Sequence, residues 1–150
     1  MNFAWVKRML SALGWCVGAA SGVVMYLLLF EAPPLTYTNL PFPVLAPVVM
    51  PGDKVPLRIE RCNATGGMLL ATLSRTLENL DRREFVSLPS TVTQIQPGCT
   101  ESTSLTNQVP LETPPGAYRV VGVAQVPGTL KNHYVTYYSA PFIVGKGGTP

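Results

Sequence analysis

Residues 9–30 read MLSALGWCVGAASGVVMYLLLF, 22 consecutive residues without a charge or a proline. No other stretch limits the possible folds of this chain so strongly. A helix rises about 1.5 Å per residue, so this length spans the roughly 30 Å hydrocarbon layer of a bilayer. In lipid every backbone polar group needs an internal partner, and a lone segment meets that need only as a helix. Pro33 and Pro34 then stop it, because proline lacks the N–H that propagation requires.

The flanks orient the helix. Lys7 and Arg8 precede it and Glu31 follows it. The positive-inside tendency predicts residues 1–8 in the cytoplasm and the chain from residue 31 onward on the periplasmic or extracytoplasmic side. A cleaved signal peptide is the rival reading, with Gly18-Ala19-Ala20-Ser21-Gly22 as the small residues a peptidase needs. The strongest apolar run, residues 23–30, lies after those small residues, whereas a signal peptide has it before. A retained single-pass anchor is therefore expected. A lipoprotein built on Cys16 is disfavoured by Trp15, which stands where such signals need a small residue.

Gly14, Gly18 and Gly22 recur every four residues and so share one helix face. Without Cβ atoms two backbones can approach closely, which makes this face a candidate helix–helix contact in a homo-oligomer or with another membrane protein. The plain alternative is that glycine is common in membrane helices.

Beyond the helix the composition changes abruptly. All 15 prolines lie from Pro33 onward. Charged residues make up only 13% of the chain against about a quarter in a typical soluble domain, so their placement matters. The net charge is +3, with 11 basic residues. Removing Lys7 and Arg8 leaves nine basic against eight acidic residues from Glu31 onward, a net of +1. A nucleic-acid surface needs a clustered basic face, and none is evident.

Residues 31–41 read as a proline-rich linker, and 42–144 as a domain of short strands separated by turns. Residues 42–50 suggest a proline-punctuated edge strand. Pro51-Gly52-Asp53 is a turn, because proline presets φ and glycine admits φ > 0. Residues 54–62 follow, with Val55, Leu57 and Ile59 on one face. Leu69, Ala71, Leu73, Arg75 and Leu77 alternate at period two, which favours a strand, and residues 78–83 stay open between strand end and helix. Short strands are expected at 85–88 and 91–95, split at Pro89, then at 103–109, 117–126 and 134–144. Residues 145–150 form a flexible tail. This count in about 110 residues suggests an antiparallel β-sandwich. Tyr118, following Pro114-Pro115-Gly116, is placed to pin a strand corner by bonding back to the backbone, which points to an immunoglobulin-like arrangement.

Of the three cysteines, Cys16 lies in the anchor. Cys62 and Cys99 are expected to form a disulfide if the domain is exported, with free thiols as the alternative. Their spacing is not that of an antibody-type inter-sheet bridge. His133 reads as a solvated turn histidine, and no nucleophile elbow or cluster of metal ligands accompanies it. Asp81, Arg82, Arg83 and Glu84 read as a solvated turn. Asn63-Ala64-Thr65 matches the glycosylation acceptor pattern. No cofactor, small-molecule substrate or catalytic residue is expected.

Taken in order, Tyr37-Thr38-Asn39-Leu40-Pro41, Pro51-Gly52-Asp53, Arg61-Cys62, Pro97-Gly98-Cys99 and the run Pro114 to Arg119 give the chain a likeness. It resembles small membrane-anchored proteins of tailed bacteriophages that carry an immunoglobulin-like domain. The resemblance implies a phage or bacterial origin and a non-enzymatic role, and brings no functional residues. The expected function is thus a membrane-tethered interaction module that binds another envelope or phage protein, with Tyr134, Tyr137 and Tyr138 as exposed contacts. The alternative is a structural virion or infection-channel component whose helix inserts in a membrane. Replacing Gly14, Gly18 and Gly22 together with leucine is expected to abolish self-association of the anchor in a membrane dimerisation reporter. Unchanged association would leave the glycine face without a role.

Overall fold

The computed structural model describes residues 3–146. The remainder of the expected tail, 147–150, lies outside the described residues. The chain divides into a unit built on one helix and a unit that holds the strands.

Helix α1 (Phe3–Phe30) is 28 residues long, and Val6–Phe30 is long and apolar enough to cross a membrane. It starts earlier than the charge-free run suggests. Lys7 and Arg8 are good helix formers and lie within it, because nothing before Gly14 breaks a helix. Its last bond runs from Glu31 N to Leu27 O at 3.1 Å, after which Pro33 and Pro34 end it. Leu13, Trp15, Met25, Tyr26 and Leu29 are exposed, and a Cβ built on Gly14, Gly18 or Gly22 meets nothing within 4 Å.

The β unit contains β1 (Leu35–Tyr37), β2 (Val48–Val49), β3 (Lys54–Asn63), β4 (Leu69–Asn79), β5 (Phe85–Ile95), β6 (Gly98–Gln108), β7 (Gly116–Pro127), β8 (Asn132–Tyr138) and β9 (Phe142–Val144). One sheet has the order β1-β3-β6. The other has the order β2-β9-β7-β4-β5, with β8 also pairing β7. The pairs are antiparallel except for β2 with β9, which is parallel. The larger sheet is therefore mixed, not purely antiparallel.

The alternation in the sequence sets the buried faces. Val55, Leu57 and Ile59 of β3 and Leu69, Ala71, Leu73 and Leu77 of β4 enter one hydrophobic core with Val120, Ala124 and Val126 of β7. Burying each of the valine, leucine and isoleucine side chains is worth about 1.5–3 kcal/mol. Tyr118 is 1% exposed, and its hydroxyl donates to Pro114 O at 2.9 Å, so it does pin the corner at the start of β7.

Several expectations are corrected. The supposed linker 31–41 contains β1, and Leu35 is fully buried against the core. Residues 42–50 do not form one strand. Pro43 and Pro47 offer no N–H, so the segment makes single bridges, Phe42 with Ser139 and Val44 with Leu57, before Val48–Val49 pairs with β9. Pro89 does not split β5. It falls at a register shift, where Leu73 faces Thr91 but Arg75 faces Leu88, so one extra residue bulges from an edge strand that spares its missing donor. β6 begins at Gly98, five residues before the expected start. The expected last strand is divided into β8 and β9, with Pro141 in the gap. Residues 78–83 finish β4 and turn: Asn79 Oδ1 accepts from Asp81 N at 2.9 Å and Arg82 N at 3.0 Å, and Arg83 takes φ 57°.

Gly122 lies at the centre of β7, facing Arg75 of β4 on one side and Tyr137 of β8 on the other. The Tyr137 ring crosses its bare backbone. A Cβ there would sit 2.4 Å from Tyr137 Cζ. Gly122→Ala is expected to lower stability by about 1–3 kcal/mol, because the ring cannot retreat within a packed core. Denaturant unfolding of the variant checks this, and an unchanged midpoint would contradict it.

Candidate functional site

The inward phases of β3 and β4 each include an arginine. On β3 the series Val55, Leu57, Ile59 continues to Arg61, and on β4 Arg75 stands between Leu73 and Leu77. Arg75 is only 6% exposed. Its Nε donates to the Tyr137 hydroxyl at 3.1 Å and its Nη1 to Thr91 Oγ1 at 3.2 Å. Arg61 pairs across the ladder with Tyr37, and its Nε is buried with no acceptor among the described residues. The Tyr37 ring meets Tyr137 edge-on at 5.1 Å and Phe42 at 5.2 Å, so the aromatic contact joins the two sheets.

These groups line a cleft of about 430 Å³ that continues toward β5 and β6. Sequence alternation makes its walls polar. Thr91 and Thr93 share the phase of buried Ile95, and Ser102 and Ser104 share that of buried Thr106. The cleft is thus lined by two guanidinium groups and several hydroxyls, with no carboxylate. Burial raises the pKa of the Tyr37 phenol strongly. Tyr137 adds to this, and Arg61 and Arg75 oppose it. Burial also raises Tyr137, against Arg75.

The sequence-predicted residues fall elsewhere. Cys62 and Cys99 are bonded, and they face each other on neighbouring strands of one sheet. Closing that loop is worth about 3–4 kcal/mol by the chain-entropy estimate. Of the three proposed contact tyrosines, Tyr134 and Tyr138 are exposed, at 67% and 41%. Tyr137 is not, at 2%, because β8 alternates and its phase points into the core. Arg119, ion-paired to Glu78, lies 5.9 Å from the Tyr138 ring centre. His133 is a buried β8 residue rather than a solvated turn histidine. Asn63 is buried, and its Nδ2 donates to Gly67 O at 2.9 Å and Ile95 O at 3.1 Å, so the acceptor pattern has no accessible amide. Asp81, Arg82, Arg83 and Glu84 are exposed, as a solvated turn requires. No group of His, Cys, Asp or Glu among the described residues could hold a metal.

Neither Arg61 nor Arg75 was identified from the sequence as a site residue. The signal was present, since both occupy positions where the alternation demands an apolar side chain.

No protein-family model and no curated protein matches the chain. Among solved structures it is similar to the alkylpurine DNA glycosylase AlkC of Pseudomonas fluorescens, bound to DNA containing an abasic site analogue. The identity is 9% and the TM-score 0.41, over 73% of this chain and 32% of the glycosylase. It is also similar to the sporulation control protein Spo0M of Bacillus subtilis, at 14% identity and TM-score 0.38, over 77% of this chain and 49% of that one. The chain spans about a third and about half of their lengths, and likenesses this distant carry no functional argument.

A raised phenol pKa stabilises the fold fully below the ordinary value of about 10, and that contribution is lost as pH rises above it, when the unfolded state releases the proton first. Tyr37→Phe is therefore expected to flatten the alkaline fall in unfolding free energy relative to wild type. Parallel curves above pH ~10 would contradict the assignment.

Proposed function

We propose that this chain is a membrane-anchored, non-enzymatic interaction module. In this reading α1 is retained as a single-pass anchor, the N-terminus is cytoplasmic, and the β unit binds another envelope or phage protein on the periplasmic or extracytoplasmic side. The observation that carries it is the 25-residue apolar stretch Val6–Phe30, with cations before its charge-free part and Glu31 after it. The Cys62–Cys99 bond supports an oxidising compartment.

The β unit is in this proposal an immunoglobulin-like sandwich. Pairing of β3 with β6 in one sheet, and of β4, β7 and β8 in the other, supports the Greek-key order of that fold. The Tyr118 bond to Pro114 O supports it further, as a tyrosine corner at the start of β7. The disulfide then lies within a sheet instead of between sheets. Tyr134 and Tyr138, with Arg119 beside the latter, are the proposed contact face, since aromatics and arginine dominate interface energetics. The glycine face of α1 is the proposed surface for pairing with a second copy.

Protease treatment of spheroplasts tests the arrangement. An epitope at the N-terminus is expected to stay protected while the β unit is accessible. Protection of both would overturn the topology. Loss of a membrane-bound form after processing would replace the anchor by a signal peptide.

A further inference from the structure

The inter-sheet cleft has a charge problem that the described residues do not solve. Arginine stays protonated at any accessible pH. Arg75 is almost wholly buried, and Arg61 Nε is buried as well. Glu101 is ion-paired to Arg58 and Glu78 to Arg119, so neither carboxylate serves the cleft arginines. Arg75 is satisfied in part by two neutral hydroxyls, and Arg61 has no side-chain hydrogen bond among the described residues. Desolvating a cation without a counter-charge costs several kcal/mol. A core position that needed only bulk would be filled more stably by methionine or leucine.

The surroundings match one kind of guest. Guanidinium N–H groups form a planar fork suited to oxyanions, and hydroxyls add donors that rotate to suit. Thr91, Thr93, Ser102 and Ser104 bring those hydroxyls from β5 and β6, the strands that end the two sheet orders. About 430 Å³ is room for a small molecule, and the side nearest Tyr37 and Tyr137 is closed by their ring contact. The cleft is also free of the carboxylates that would repel such a guest.

We propose that this cleft is a binding site for a small oxyanion, a carboxylate or phosphate group held between Arg61 and Arg75. Tyr137 positions Arg75 by accepting its Nε hydrogen, and Gly122 lets the tyrosine reach that point. The site is independent of the anchor and of the outer tyrosine face, so it stands or falls separately from the proposed tethered role.

Calorimetric titration of the full chain in detergent tests this, with inorganic phosphate, acetate and chloride at matched ionic strength. Saturable binding of phosphate or acetate, but not chloride, is expected, and the stronger of the two identifies the preferred group. A rise in the unfolding midpoint with the same anion should accompany it. Arg61→Gln is expected to weaken binding about tenfold, which is roughly 1.4 kcal/mol. Arg75→Met is expected to abolish it. Arg61 is partly exposed, so its variant remains informative if the Arg75 variant does not fold. Absence of saturable binding by either oxyanion, or binding that Arg61→Gln leaves unchanged, overturns the proposal and leaves the cleft hydrated only.

Discussion

The Tyr137 ring lying over Gly122 is the contact on which the interior of the β unit depends. Through it β8 reaches across β7 to Arg75 on β4. The same ring packs against Tyr37 and against Phe42, with centres 5.1 and 5.5 Å away. One side chain therefore touches segments that are far apart in sequence and belong to both sheets. It works only because Gly122 has no Cβ. A larger residue there would separate the aromatic cluster from the arginine it orients.

The two long sides between the sheets are finished differently. One is closed by residues 35–49, which alternate between partners. β1 pairs with β3, Phe42 bridges to Ser139, Val44 bridges back to Leu57, and β2 pairs with β9. Prolines suit this path because single bridges do not require an N–H at every residue. The other side, between β5 and β6, has inward hydroxyls in place of leucine and valine. Apolar packing thus stops short of that side, which is why a polar cleft is present there.

The parts legible in the sequence were those written in local chemistry. The turn at Pro51-Gly52, where glycine takes φ 92°, the alternation of β3 and β4, and the corner tyrosine were all visible. β6 was only half visible, because Thr100, Glu101, Ser102 and Thr103 show no apolar alternation. Its first half is fixed by pairing with β3 and by Cys99 opposite Cys62. The weave of residues 35–49 depends on partners up to about a hundred positions away and leaves no local trace. Tyr137 reads as exposed in the sequence because β8 carries aromatic residues on both phases, so alternation does not say which side is buried. The arginines of the cleft were visible in phase, but their meaning required knowing that the facing strands present hydroxyls.

The parallel pairing of β2 with β9 has a mechanical meaning. The hydrogen bonds from Ile143 N to Pro47 O and from Gly145 N to Val49 O join an early strand of the β unit to the last strand described. Two parallel neighbours pulled from opposite ends slide along each other, so their bonds share the load in shear. An antiparallel hairpin pulled at its open end would release its bonds one by one, like a zipper. A tug between the two ends of the β unit would therefore meet this short seam as a clamp. Rupture of that seam would set how long the domain resists force.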